Sequence, residues 1–369
     1  MNKLAKFVGL DVHKDSIAVA VAEGGPLETP RSLGRIAHDL PRLLKMLGRL
    51  GEPEDLHVAY EAGPTGYGLC RALRERGIEC LVAAPSKIPV RSGDRVKTDR
   101  RDAEKLARYL RSGELVGVAV PDQQSEALRD FLRLREDTVW ALQKARQQLA
   151  GFLLRHGRHF EGRSHWTHAH FAWIRAQRFE IEAQRRVLEH YLAEVIRVRE
   201  RLDQLTSELV ELIESLPQSA LFRNLQALRG VSTIVAATVV AEIGDLRRFA
   251  RAGQLMSFVG LTPSERSSGN EVRRGAITKA GNPHVRRVLV EAAWSQRLRP
   301  AKSLHLLKRW KEVPLEIQDV AWKAQLRLSQ RYRRMVARGK SVQHTIVAIA
   351  RELTGFIWAI GQIAPQCAK

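Results

Sequence analysis

Two aspartates three residues apart, Asp99 and Asp102 in the run VKTDRRDAEKLARYL, are the residues whose type and spacing point most directly to chemistry. On a helix this spacing puts both carboxylates on one face. Like charges that close repel unless a cation lies between them. A hard divalent ion such as magnesium, held by carboxylate oxygens beside a phosphate, resolves the repulsion. Lys97, Arg100 and Arg101 add positive field without being ligands. The same pair also reads as an ordinary acidic first turn, favoured by the helix dipole. The metal reading gains only if other carboxylates reach the same place.

The elements that must position them follow from periodicity. Lys6 to Val12 and Ser16 to Glu23 are β-rich runs around a short polar turn, predicted to pair as antiparallel strands. Asp11 then ends the first strand among apolar neighbours, where a carboxylate is costly unless paired or used. Leu27 to Ile36 predicts a third strand, and Asp39 to Leu50 an amphipathic helix with Leu43, Leu44 and Leu47 on one side. Leu56 to Tyr60 is a short apolar strand ending at Glu61, followed by AGPTGYG and a helix through Arg76. Ile78 to Ala83 is another strand, and the loop PSKIPVRSGDR leads to the Asp99/Asp102 helix. Strands alternating with helices imply a sheet with helices on its faces and a site at strand carboxyl ends. Asp11, Glu61, Asp99 and Asp102 can therefore converge on one metal-binding cleft.

The chain has 369 residues, enough for two or three domains, and its 61 Lys and Arg against 40 Asp and Glu give a formal charge of +21. That field attracts a polyanion, with nucleic acid as the leading partner. No membrane partner is expected, since no run is read as reaching the roughly 20 apolar residues of a span. The first residues are interrupted by Asp11, His13, Lys14 and Asp15 too early for a signal peptide. Cys70, Cys80 and Cys367 show no metal-binding spacing, so the chain reads as cytosolic and reduced.

From Asp122 to about Leu216 the chain is long, charged and helical. Leu128, Leu132, Val139, Leu142, Leu149 and Leu153 fit a heptad seam that Arg135 and Arg146 interrupt. Leu188, Tyr191, Val195, Val198, Leu202, Leu205, Leu209, Leu212 and Leu216 alternate steps of three and four, the pattern of a coiled coil within the chain or between chains. Between the two lie His156, His159, His165, His168 and His170, which invite a zinc reading. Their spacing lacks HExxH or a cysteine partner, so a helical-hairpin tip that touches nucleic acid or another subunit is the better expectation.

Beyond Pro217, LRGVSTIVAATVVAEIGDLRRF has the outline of two short helices around Gly230. It fits a helix-hairpin-helix aimed at phosphates, with Ser232 where a second glycine is usual, and equally a buried Val- and Ala-rich helix pair. The next segment, Gly260 to Trp294, combines a Ser-Ser-Gly turn at Ser267 to Gly269 with Arg273, Arg274, Lys279, His284, Arg286 and Arg287. A serine attacks phosphate only if its proton is removed and the phosphate charge is neutralised, which guanidinium forks do well. On chemistry alone the turn is also ordinary loop composition. Pro314 to Gln362 predicts two helices around Arg338 and Gly339.

Taken together, GLDVHKDS, YEAGPTGYGL, KTDRRDAEKLARYL, LRGVSTIVAATVVAEIGD and FVGLTPSERSSGNEVRRGAITKAGNPHVRRVLVEAAW occur in the order found in a known family. Over nearly its whole length the chain resembles the DEDD transposases of insertion sequences, recombinases guided by a structured bridge RNA. The resemblance implies an α/β plus all-α architecture: a ribonuclease H-like, resolvase-like domain over residues 1–121, a central antiparallel coiled coil over 122–216, and a helical transposase domain over 217–369. It implies that Asp11, Glu61, Asp99 and Asp102 hold one or two magnesium ions. The serine directly before glycine, Ser268, becomes the nucleophile, with Ser267 beside it as the other candidate. Element and target DNA, a guide RNA and further copies of the chain are the implied partners, and Arg273, Arg274, Lys279, Arg286 and Arg287 the implied nucleic-acid contacts.

Three rivals remain. A hydrolytic junction resolvase has the same four acids and uses water. A sugar-kinase or actin-like ATPase opens with a hairpin like GLDVHKDS but needs a second DxGxxT phosphate loop, which is absent. For a non-catalytic scaffold on nucleic acid, four convergent carboxylates would repel the phosphates it must hold.

Overall fold

A computed structural model describes residues 5–23, 28–89, 98–268 and 271–363, so Lys97, the Gly269 position and Cys367 lie outside the described residues. The chain divides into two compact units, Met1–Pro121 and Asp122–Lys369.

The first unit is built on five strands, β1 Lys6–Val12, β2 Ser16–Ala22, β3 Arg31–Ala37, β4 Leu56–Glu61 and β5 Glu79–Ala83, in the order β3-β2-β1-β4-β5. The first three pair antiparallel, while β4 runs parallel to both β1 and β5. Helices α1 Leu40–Leu47 and α2 Gly68–Arg74 cover one face, and α3 Asp99–Arg111 covers the other. The period-2 alternation decides which residues meet which helix. Val8, Leu10, Val58 and Tyr60 share a core with Leu43, Leu47, Cys70 and Leu73. The opposite face is made of small residues: Ala18, Ala20 and Ala22 pack on Ala103 and Ala107, and Ala59 and Ala83 pack on Leu106 and Tyr109. A Cβ at Gly9 would lie 2.1 Å from the Ala103 carbonyl oxygen and 2.4 Å from the Ala107 nitrogen. Helix α3 thus lies almost on the sheet backbone, an approach only glycine allows. Cys70 and Cys80 are buried free thiols.

In the second unit, α4 Gln123–Arg155 and α6 Glu182–Ser215 pair, with α5 His168–Ala176 between them in sequence. Leu128 and Leu132 meet Leu209 and Ile213, whereas Leu142 to Leu153 meet Leu188 to Val198, so the two helices run antiparallel. The seam departs from the sequence reading in two places. Val139 is 39 % exposed and Leu212 44 % exposed, while Thr138 and Ile213 occupy the buried positions. A strict 3.5 repeat drifts on a straight helix, which shifts the buried residue by one position over several turns.

The chain continues through α7 Ser219–Leu225, α8 Thr233–Ile243, α9 Ala252–Phe258, a hairpin of β6 Pro263–Ser268 and β7 Glu271–Ile277, α10 Pro283–Ala293, α11 Leu304–Trp310, α12 Leu315–Ala337 and α13 Val342–Ile363. Helix α8 is buried from Val235 through Ile243, the Val- and Ala-rich core helix rather than a phosphate-facing hairpin. Ser232, where that hairpin would want glycine, is its N-cap and accepts the Val235 N–H. Buried Glu242 on α8 is compensated by Arg129 and Arg133 of α4, at 3.8 and 3.3 Å, and accepts a 2.7 Å hydrogen bond from Asn282 Nδ2. The expectation that no run suits a membrane span needs correction, because α13, at 22 residues, is long and apolar enough for one by length and composition. Its apolar face, Ile346, Ile349, Leu353, Ile357 and Ile360, is buried in this unit's core.

Candidate metal centre and serine hairpin

Asp11 lies two residues beyond Gly9 on β1, and Glu61 two beyond Ala59 on β4, so both strands turn their last acid toward the face that α3 covers. The parallel register aligns Leu10 with Tyr60 and so brings Asp11 and Glu61 to neighbouring strand ends. Glu61 is held by its pairing with Ala83 and by the Tyr60 hydroxyl, which donates to the Gly66 carbonyl across the following loop at 3.0 Å. On the helix side, Thr98 caps α3 by accepting the Arg101 N–H, which puts Asp99 and Asp102 in the first turn. The glycine contact at β1 brings that turn down to Asp11.

His13, which the sequence reading passed over, completes the cluster. Its Nε2 lies 3.1 Å from Asp11 Oδ2 and 3.6 Å from Asp99 Oδ1, and its carbonyl is 2.7 Å from His38 Nδ1. Arg35 Nη1 is 3.7 Å from Asp99 Oδ2, and its Nε donates to Ser16. Asp11, His13 and Asp99 offer ligand atoms within 4.8 Å of one another, the only such group of three found among the described residues. The signal in the sequence was the i, i+2 spacing from Asp11 just beyond the strand.

Burial raises the Asp11 pKa above the ordinary carboxylate range, and Asp102 and Asp99 push it the same way against His13, which lowers it. Such a carboxylate is held ionised only by added positive charge, and oxygen donors with one imidazole suit a hard divalent cation. Of the four acids, Asp11 and Asp99 are brought together with His13; Asp102 shares the first turn of α3 and Glu61 stands at the neighbouring strand end, both outside that group of three.

The histidines between α4 and α6 do not make a second centre. His170 is buried, and its Nδ1 accepts the Trp166 N–H at 2.9 Å. Its Nε2 therefore carries the proton and faces His165 Nδ1 at 3.4 Å, leaving no lone pair for a metal. Burial lowers its pKa, and rings of Phe160 and Trp173 enclose it.

In the hairpin, Ser267 pairs with Val272 and Ser268 with Glu271, so Ser268 is the last residue of β6. The basic residues that follow divide in two. Arg273, Arg274 and Lys279 are exposed, with Arg274 Nε 3.5 Å from Glu265. Arg286 donates to the Val259 carbonyl, and Arg287 joins His284 on Glu136 at 2.9 and 2.7 Å. Those two arginines hold α10 to its neighbours.

A mixed sheet whose strand-end acids meet an acidic helix turn is the arrangement of a nuclease-like DEDD domain that calls for a divalent metal. Residues 8–157 match the family model of IS110-type DEDD transposases, and residues 222–306 match the Transposase IS116/IS110/IS902 family. The chain is 44 % identical over 363 residues to y4qE of Sinorhizobium fredii, a candidate transposase by its name, covering 98 % of this chain and 89 % of that one. It is 31 % identical over 341 residues to the transposase for insertion sequence element IS1533 of Leptospira borgpetersenii, covering 91 % and 98 %. The chain belongs to the IS110/IS116 family of DEDD transposases and is a DNA transposase.

Proposed function

We propose that this transposase excises and inserts its element by magnesium-dependent strand exchange, guided by a structured RNA, through a covalent intermediate on Ser268. The observation that carries the metal half is the cluster of Asp11, His13 and Asp99 under the Gly9 contact, with Asp102 in the same first turn of α3 and Glu61 at the neighbouring strand end. In this reading residues 1–121 are a ribonuclease H-like domain, 122–216 a coiled coil, and 217–369 the helical transposase domain. Its partners are element ends, target DNA, guide RNA and further copies of the chain. It works in the cytoplasm without a membrane.

When bound, magnesium supplies Lewis-acid polarisation of the scissile phosphate and stabilises charge on the departing oxygen. The chain's own residues do the rest. Ser268 Oγ loses its proton and forms a bond to phosphorus as the phosphorus bond to a sugar oxygen breaks; that oxygen leaves with a proton. In the second step a sugar hydroxyl of the other strand attacks the phosphoserine, the P–Oγ bond breaks, and serine regains its proton. Exposed Arg273 and Arg274 follow the serine on the same hairpin, suited to balance phosphate charge.

The test is denaturing electrophoresis of labelled DNA after incubation with guide RNA and magnesium. Wild type should give a protein-linked band, and Ser268→Ala should lose both the band and strand exchange while still binding nucleic acid. Ser267→Ala should cost far less. Cleavage without an adduct, or full exchange by Ser268→Ala, would replace this reading with water-mediated hydrolysis of the resolvase type.

A further inference from the structure

Between the base of the β6–β7 hairpin and helices α9, α12 and α13 lies a groove of about 730 Å³. Its floor is apolar, formed by Met256, Leu261, Ile277 and Val347, and its rim is cationic, formed by Lys279, Arg327, Arg331 and Arg351. None of these residues is used by the chemistry at the metal centre or at Ser268. One carboxylate, Glu352, interrupts the rim, and it is already engaged: Arg327 pairs with it, and Arg331 Nε lies 3.2 Å from it. Holding two guanidinium groups on one half-buried acid fixes their direction and leaves their other N–H donors for a ligand. Among the described residues, neither Lys279 nor Arg351 has an ion-pair partner. The positive track continues along α12 through Arg334 and Arg338 to Lys340, which line a second hollow of about 470 Å³. From Arg327 to Arg338 it spans about 16 Å at the helical rise.

We propose that this groove seats a single-stranded segment of DNA, an unstacked base on the apolar floor and its flanking phosphates on the rim. The chemistry favours that occupant. Duplex DNA presents phosphates and base edges but keeps its base faces stacked, so it would leave the floor unused. A single strand offers both an apolar base face and a phosphate at each step, which suits an aliphatic floor under a cationic rim. Ser268 lies at the far end of the β6 strand that begins with groove-lining Pro263, about 17 Å away at strand rise. The cut strand would therefore be gripped a few nucleotides from the phosphate attacked. This rests on the proposed strand exchange for the choice of DNA, but the binding itself requires neither serine nor metal.

Fluorescence anisotropy on the full chain carrying Ser268→Ala, in EDTA, tests it without catalysis. The probes are a labelled oligo-dT, an oligo-U and a blunt duplex of equal length. The exposed pair Lys279→Ala and Arg351→Ala should weaken oligo-dT binding about tenfold and lower its salt slope by about 1.4, two phosphate contacts at ~0.7 each for single strands. Val347→Trp, which fills the floor, should weaken oligo-dT at unchanged salt slope and leave the duplex unaffected. Should that variant fail to fold, a 5-iodouracil photocrosslink from oligo-dT to the β7 or α13 peptide replaces it. Equal losses for duplex and single strand, tighter binding of oligo-U than oligo-dT, or crosslinks elsewhere would overturn the assignment. A missing serine adduct in the cleavage assay would leave it standing.

Discussion

Asp11 lies partly buried beside Asp99 and Asp102, which with burial raise its pKa, and His13 is its nearest compensation. A raised folded-state pKa means that the metal-free protein gains stability as pH falls through that pKa, and carries a constant cost above it. Asp11→Asn should therefore raise the melting temperature in EDTA at pH 7.5. The advantage should fade as pH falls toward the ordinary carboxylate range. Magnesium should raise the melting temperature of the wild type and not that of the variant. Asp102→Asn should cut strand cleavage about a hundredfold or more, the scale of losing charge stabilisation worth several kcal/mol, while nucleic-acid binding persists. A variant that recombines at the wild-type rate would remove Asp102 from the centre.

At the scale of elements, Gly9 decides how close α3 comes to the sheet. Gly9→Ala should cost about 1–3 kcal/mol as overpacking between β1 and α3, and should reduce metal-dependent cleavage by lifting Asp99 and Asp102 from Asp11. Gly68→Ala, at a position with nothing within 4 Å of the added carbon, should do neither. Thermal melts and cleavage rates of the two variants give the comparison. The same contact shows what was legible in the sequence. Strand alternation, the acids ending two strands and the capped α3 turn can each be read locally. The small-residue face of Gly9, Ala18, Ala20 and Ala59 looks like any β-run until the sheet order brings those positions together under one helix. His13 escaped for the same reason, since its 3.6 Å approach to Asp99 crosses from strand end to helix. The heptad steps located α4 and α6 but misjudged Val139 and Leu212, because the buried side of a long helix drifts from the ideal repeat. Helix α8 was ambiguous by composition alone and became a core helix through contacts from α4, α7 and α10.

For the whole molecule, the acids and the serine belong to different units of one chain. If copies share their centres in an oligomer, mixing Asp102→Asn with Ser268→Ala should restore strand exchange that neither variant performs alone. A mixture as inert as its components would require each copy to supply both. Charge is divided as unevenly as chemistry: residues 1–121 carry 20 Lys and Arg against 16 Asp and Glu, and residues 122–369 carry 41 against 24. The excess sits in the larger unit, whereas the carboxylates of the metal centre belong to the smaller one. Such a polycation binds any DNA it meets and leaves slowly at low salt. Where transcription and translation share a compartment, the first DNA a newborn copy meets is the gene that encoded it. Retention there would make each element chiefly the client of its own product, and a defective neighbour would gain little from an active one.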